Sequence, residues 1–266
     1  MIERGLIKTS DGYIHYRSDG EGKPLILLHC TLRSSTSFLD VIPLLAKRYR
    51  VYALDTPGFG DSDRPSRPYT IPDYARAVTE ALTGLGLEKA NVLGEAMGAL
   101  MAMELAGTYP DKVERLILQS LAFFPDSESQ RRRLGQVGET YRTTEEGFPM
   151  PRTFKEAMEW DTVRRPRNPT EVWLDRENTD LGKAGKWFLK GYEAVARYDI
   201  NSALERIQCP TLLVTGEYFL YRQFQDELTR RIRDVQVAII PGAQLMPQVD
   251  NPEEVSRVLT NFIGGP

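Results

Sequence analysis

The sequence predicts an α/β protein: a mostly parallel central sheet, helices on both faces, and a helical insertion between two strands. Three observations carry this. Runs such as KPLILLHC and PTLLVTGE are apolar over most of their length, as strands buried on both faces must be. Stretches of helical spacing alternate with such runs, and a chain that alternates β and α builds a parallel sheet through crossover helices. From about Leu121 to about Asn201 this rhythm stops; the segment is charged, bears tryptophans and has no buried strand run. An α/β core is therefore expected in residues 1–120 and 202–266, with a helical cap inserted at 121–201.

Taken in order, YIHYRSDG alternates its faces and ends in a turn signal, so it reads as a strand. KPLILLHC follows as a buried strand. YRVYALDTPGFGDS is a strand running into a Gly/Pro-rich loop. In IPDYARAVTEALTGLGL, residues Ile71, Tyr74, Ala75, Val78 and Leu82 share one helical face, and glycine ends the helix. ANVLGEAMGALMAMELAGTYP reads as strand, sharp turn and helix, and VERLILQS as the next buried strand. After the insertion come the strands PTLLVTGE and VQVAIIPGA and a last helix in NPEEVSRVLTNFI. Inside the insertion, TDLGKAGKWFLKGYEAVARYD has a helical pattern interrupted by Gly182 and Gly185. Each interior glycine costs about 0.5–1 kcal/mol relative to alanine. The pair is expected either to make room for a ligand under the cap or to mark a helix boundary near Gly182.

Composition narrows the function classes. The chain has 266 residues, 41% of them hydrophobic, enough for a sizeable core. Its formal net charge of -3 argues against a nucleic-acid groove or a basic membrane-binding face. Cys30 and Cys209 are too few for a disulfide framework and read as thiols of a reducing compartment. The first residues carry charges where a signal peptide needs an apolar stretch, and no run reaches the roughly 18 apolar residues of a membrane span. A cytoplasmic location is expected. No His/Cys cluster has metal-ligand spacing, DTPGFGDS lacks the Gly-Lys-Ser/Thr end of a phosphate loop, and no nucleotide fingerprint occurs, so no metal and no cofactor are expected. Lys183 and Lys190 read as solvated charges, and Cys209 as a buried, inert thiol.

The stretch GEAMGA, residues 94–99, follows the apolar NVL and has the form of a strand-to-helix elbow. It stands with LLHCTLRSS, DTPGFGDSDRP, PTLLVTGEYF and IPGAQLMPQVDNPEEV. In this order the five stretches resemble the α/β-hydrolase-fold family, in its esterase, C–C hydrolase and haloperoxidase-like group. The resemblance implies an α/β-hydrolase fold with a cap, and a serine–acid–histidine relay. Carried over residue by residue, the nucleophile position holds Ala96, the acid position Phe219 and the histidine position Leu245. All three reacting side chains are absent. The chain has two histidines, His15 and His29, and neither falls at the relay position. The family's His-Gly loop reads His29-Cys30 here. The resemblance assigns the oxyanion hole to the backbone N–H groups of Thr31 and Met97.

Two side chains are left as candidate reactive groups. Cys30 stands at a strand end near the cleft, as nucleophile or as a small buried hydrophobe. Glu95 precedes the elbow residue, as a desolvated base or as one of the residues this position tolerates. Gln244 is a candidate hydrogen-bond donor or a loop-exposed amide, and Glu217 reads as loop structure. Trp160, Trp173 and Trp187 are core aromatics or, for Trp187 above all, cleft lining. Serine-relay hydrolysis is thus not expected. The leading expectation is a rebuilt, engineered active site in an apolar pocket, acting on an ester or another small apolar molecule through Cys30 or Glu95. The alternatives are a pseudo-hydrolase that binds a small molecule without catalysis and a natural enzyme with displaced chemistry. The sequence leaves the oligomeric state open.

Overall fold

A computed structural model describes residues 1–264 apart from 125, 127, 130, 131, 133–142 and 161–164. Eight strands form one sheet: β1 (Glu3–Thr9), β2 (Gly12–Asp19), β3 (Lys23–Leu28), β4 (Tyr49–Leu54), β5 (Ala90–Glu95), β6 (Val113–Gln119), β7 (Thr211–Gly216) and β8 (Val235–Ile240). Their order across the sheet is β1-β2-β4-β3-β5-β6-β7-β8. The β1/β2 and β2/β4 pairs are antiparallel and the pairs from β4/β3 to β7/β8 are parallel. This is the mostly parallel sheet that the alternating pattern demands. Strands β5 and β7 are buried along their whole length, as their apolar runs require. The first strand, β1, has only Ile7 fully buried, and no apolar run announces it.

The helices take both faces. On one side lie α1 (Ile42–Leu45) and the C-terminal α10 (Pro252–Ile263), packed on Leu25, Leu27, Leu93 and Ile117. On the other lie α2 (Ile71–Gly84) and α3 (Met97–Thr108), packed on Ile26, Leu28, Val92 and Leu118. Helix α2 starts at a capping box: the Thr70 side chain accepts from the Asp73 N–H, and the Asp73 carboxylate accepts from the Thr70 N–H. Its buried face is Ile71, Tyr74, Ala75, Ala77, Val78, Ala81 and Leu82, the stripe expected from the spacing.

Between β6 and β7 the described helices are α4 (Phe154–Trp160), α5 (Glu171–Ala184), α6 (Phe188–Arg197) and α7 (Ile200–Glu205). Helix α7 runs through the expected boundary at residue 201 and packs Ile200, Ala203 and Leu204 into the main core. The interrupted helical pattern over 179–199 is two helices. Gly182 continues α5; the break comes at Gly185, whose φ of 52° ends the helix, followed by one 3-10 turn. A Cβ at Gly182 would meet nothing within 4 Å, so that glycine makes no room for anything. After β7 follow α8 (Gln225–Arg231) and the short α9 (Pro247–Asp250). No helix among the described residues is long and apolar enough to cross a membrane.

Candidate functional site

The site sits where the parallel strands end. Strand β5 turns into α3 through Ala96, whose backbone is held at φ 50° and ψ -106°. A non-glycine residue so placed stores about 1–3 kcal/mol of strain. Two glycines make the turn possible: a Cβ at Gly94 would strike the Gly98 carbonyl, and one at Gly98 would strike the Leu28 and His29 carbonyls. The elbow is therefore fully built around a methyl group. Ala96 is half-buried, while the N–H of Met97 opens the first turn of α3. The N–H groups of Thr31 and Met97 have no partner among the described hydrogen bonds, and the Thr31 hydroxyl donates to the Met97 sulfur at 3.0 Å. From α6, Gly191 packs against Thr31, Phe59 and Met97, so that helix lies over the elbow.

Phe219 and Leu245 are apolar in their surroundings as well as in their side chains. Phe219 is buried, stacks edge-on against Tyr221 at 5.5 Å, and borders a cavity of about 20 Å³ with Leu118 and Leu213. That volume holds a single water. Leu245 packs with Met246 against Trp173 and Leu174 of α5.

The polar residues lie behind the strand end. Side chains alternate along β5, so Glu95 shares the face of Leu93 while Ala96 faces away. Glu95 is fully buried, and neither carboxylate oxygen has a hydrogen-bond partner. Burial pushes its carboxyl up to about 6, against the pull of Arg33 and of the Gln248 amide beside it. Arg33 Nη1 stands 3.9 Å from Glu95 Oε1. The same guanidinium grips Glu177 of α5, Nε to Oε2 at 2.7 Å and Nη2 to Oε1 at 3.4 Å. Gln119, at the end of β6, donates from Nε2 to Gln248 Oε1 at 2.6 Å. Asp180, one helical turn from Glu177, accepts from Ser34 Oγ at 2.8 Å and Thr36 Oγ1 at 2.5 Å. Burial raises Asp180 to about 6 in spite of these two donors. Exposed pairs Arg176–Asp40 and Lys183–Asp61 tie the same helix to the core.

Several expected roles change in this setting. Strand β3 ends at Leu28, so His29 and Cys30 lie in the loop beyond it. Cys30 is buried; desolvation drives its thiol far above the ordinary range although Arg33 Nη1 donates to its sulfur at 3.0 Å. Burial thus favours the thiol over the thiolate, which agrees with the small buried hydrophobe of its two expected readings. His29 is neutral because burial lowers its pKa; Nδ1–H donates to the Cys30 carbonyl at 2.7 Å and Nε2 accepts from the Thr56 N–H at 2.9 Å. His15 Nδ1 donates to Asp55 Oδ2 at 2.8 Å. Burial alone would raise Asp55, yet the donors from His15, Asp61 and Ser35 hold it well below the usual carboxylate range.

His15, Asp55 and Asp61 bring ligand-type atoms within 4.8 Å of one another, which no spacing in the sequence announces. These atoms already serve protein donors: Asp55 accepts from the Ser35 and Asp61 N–H groups, and Asp61 from Lys183 at 2.6 Å. They fit a structural node better than a metal centre. Gln244 is buried rather than loop-exposed, and its Nε2 donates to the Arg165 carbonyl at 2.7 Å. Glu217 accepts from the Gly242 N–H at 2.9 Å, as loop structure. Trp187 packs over Gly58, where any Cβ would collide with its indole; this close approach explains the glycine of the DTPGFG loop. Trp173 is buried against Met246, and the Trp160 side chain lies outside the described residues. Arg33, Glu177, Asp180, Gln119 and Gln248 have no motif. Their only signal is an arginine inside a strand-end loop that carries no other formal charge.

Known proteins resemble this arrangement. Residues 23–252 match the family described as alpha/beta hydrolase fold. The (E)-2-((N-methylformamido)methylene)succinate hydrolase of Acinetobacter baylyi is 24% identical over 99% of this chain and 98% of its own. Among solved structures, a hydrolase from Pseudomonas aeruginosa superposes with a TM-score of 0.79 at 23% identity, covering 99% of both chains. A thermophilic esterase from Thermogutta terrifontis does so with 0.76 at 24% identity, covering 98% of each.

Proposed function

The chain belongs to the alpha/beta hydrolase fold family, and from that premise we propose that it binds a small apolar molecule bearing a carbonyl oxygen at the elbow without cleaving it by a serine relay. One observation carries the reading: Ala96 keeps the strained elbow geometry and two partnerless N–H donors while supplying no nucleophile. Strain of this kind persists where the surroundings over-determine it, and its use is to aim donors at a ligand oxygen. Loss of relay members costs about 10⁴–10⁶ in turnover and leaves binding and the oxyanion hole behind. The test uses acetanilide as a carbonyl ligand in calorimetry and p-nitrophenyl acetate as a chromogenic ester. Saturable acetanilide binding that Ala96→Trp abolishes, with no burst of nitrophenol, supports the reading. A burst from the unaltered protein overturns it.

A second reading has its own observation. Glu95, with a carboxyl near 6 and two oxygens that accept no hydrogen bond, Arg33 standing 3.9 Å from one of them, has properties of a general base for proton abstraction from carbon. Together with apolar side chains at all three relay positions, it fits a cleft rebuilt by design for another reaction. Loss of a measured proton-abstraction rate in Glu95→Gln, with binding retained, would favour this reading over the first.

A further inference from the structure

A second chamber opens away from the elbow, on the α2/α3 side of the sheet. Its volume is about 390 Å³, within the range of small-molecule sites. The N-terminal turn of α2 and the preceding loop form one wall with Tyr69 and Ile71; α6 and α7 form the opposite wall with Ala194 and Tyr198. Six charged residues line it, three of each sign, and their pairing is uneven. Glu104 accepts from Tyr198 at 2.6 Å and from Arg206 at 2.6 Å. Lys190 pairs with Glu193 at 2.8 Å. Asp199 is used as the cap of α7, accepting from the Ser202 N–H at 3.2 Å and hydroxyl at 2.5 Å. Every carboxylate is engaged. Arg197 is left, an exposed guanidinium that makes no hydrogen bond or ion pair among the described residues.

We propose that this chamber is a binding site for a small monocarboxylate with an aryl or medium-chain alkyl body. The body lies between Tyr69, Ile71 and Ala194, and the carboxylate pairs with Arg197. Guanidinium and carboxylate match in a two-pronged geometry that no neutral head group reproduces. The apolar walls supply the remaining affinity, and two of the three carboxylates already hold a cation of the chain, Glu104 with Arg206 and Glu193 with Lys190.

The experiment is calorimetric titration of the full chain with 4-phenylbutyrate and, in parallel, with 4-phenylbutanol. The expected result is saturable binding of the acid, about tenfold or more tighter than the alcohol. Arg197→Gln should bring the acid down to the level of the alcohol. Ser202→Trp, an exposed substitution at the rim that leaves the core untouched, should abolish binding of both while acetanilide binding at the elbow persists. Absence of saturable binding by the acid overturns the proposal. So does binding that survives both Arg197→Gln and Ser202→Trp, or equal binding of acid and alcohol. Failure here leaves the elbow reading standing, because that reading is measured with a different ligand and by Ala96→Trp.

Discussion

On the Glu95 side of the β5 end the chain packs charges and amides; on the Ala96 side it presents apolar side chains. Behind the strand, Arg33, Glu95, Glu177, Gln119 and Gln248 are all buried. In front, Ala96, Phe219 and Leu245 are a methyl group, a ring and a branched alkyl group. Yet the backbone of the front side is intact, down to the positive φ of Ala96. The elbow is carried by its backbone and its glycines and needs no polar side chain at Ala96. The arginine and carboxylate that hold the α5 helix to the strand ends are bound to each other by buried charge, and removing one leaves its partner exposed to the low dielectric.

The largest expected effect is on the buried side. Arg33→Met takes from the Glu177 carboxylate both hydrogen bonds of the Arg33 guanidinium and leaves it only Arg152, whose Nη2 stands 3.9 Å from Oε1. A loss of about 3–5 kcal/mol is expected in urea unfolding. A loss below 1 kcal/mol would erase the contrast between the two sides.

Glu95→Gln sharpens the comparison through pH. The carboxyl is raised from its ordinary 4.5 to about 6, so the folded state holds the proton more tightly than the unfolded one. The wild type therefore gains stability relative to Glu95→Gln as pH falls from 7 through 6 toward 4.5, by about 2 kcal/mol. The gain is lost again as pH rises through 6. Taking the difference between the two proteins removes the opposing contribution of His29, whose lowered pKa disfavours the fold as pH falls. Parallel stability curves for the two proteins would show that Glu95 feels no unusual burial.

On the front side the effects are smaller. Ala96→Gly relieves the positive-φ strain and loses a little in the unfolded chain; a net gain of about 1 kcal/mol is expected in thermal or urea unfolding. A loss instead would mean that the elbow is not strained. The smallest effect concerns Cys30. Its buried thiol should react with iodoacetamide only as fast as the protein opens, and Cys30→Ala should leave ester turnover unchanged. Rapid alkylation at pH 7 in the folded protein would restore it as a nucleophile.

Much of the scaffold was legible because local rules agree along the chain. Strands β3, β5, β6 and β7, the Thr70-capped helix α2 and the Gly94–Gly98 elbow each announce themselves by apolar runs, spacing or glycine placement. The first strand was hidden because it is an edge strand with one buried residue. Which of Gly182 and Gly185 breaks the helix is not legible, since both glycines look alike in sequence and only Gly185 has the positive φ.

What the sequence by itself determined is the run of buried strands, the glycine-built elbow and the apolar character of Ala96, Phe219 and Leu245, because each depends on residues within a few positions of one another. Only the tertiary structure decided where Cys30, Glu95 and Arg33 sit and what they touch. Arg33 and Glu177 stand 144 positions apart, and Gln119 and Gln248 stand 129 apart. The protonation of a buried group depends on the solvent it has lost and on the charges brought beside it, and the fold sets both across such separations.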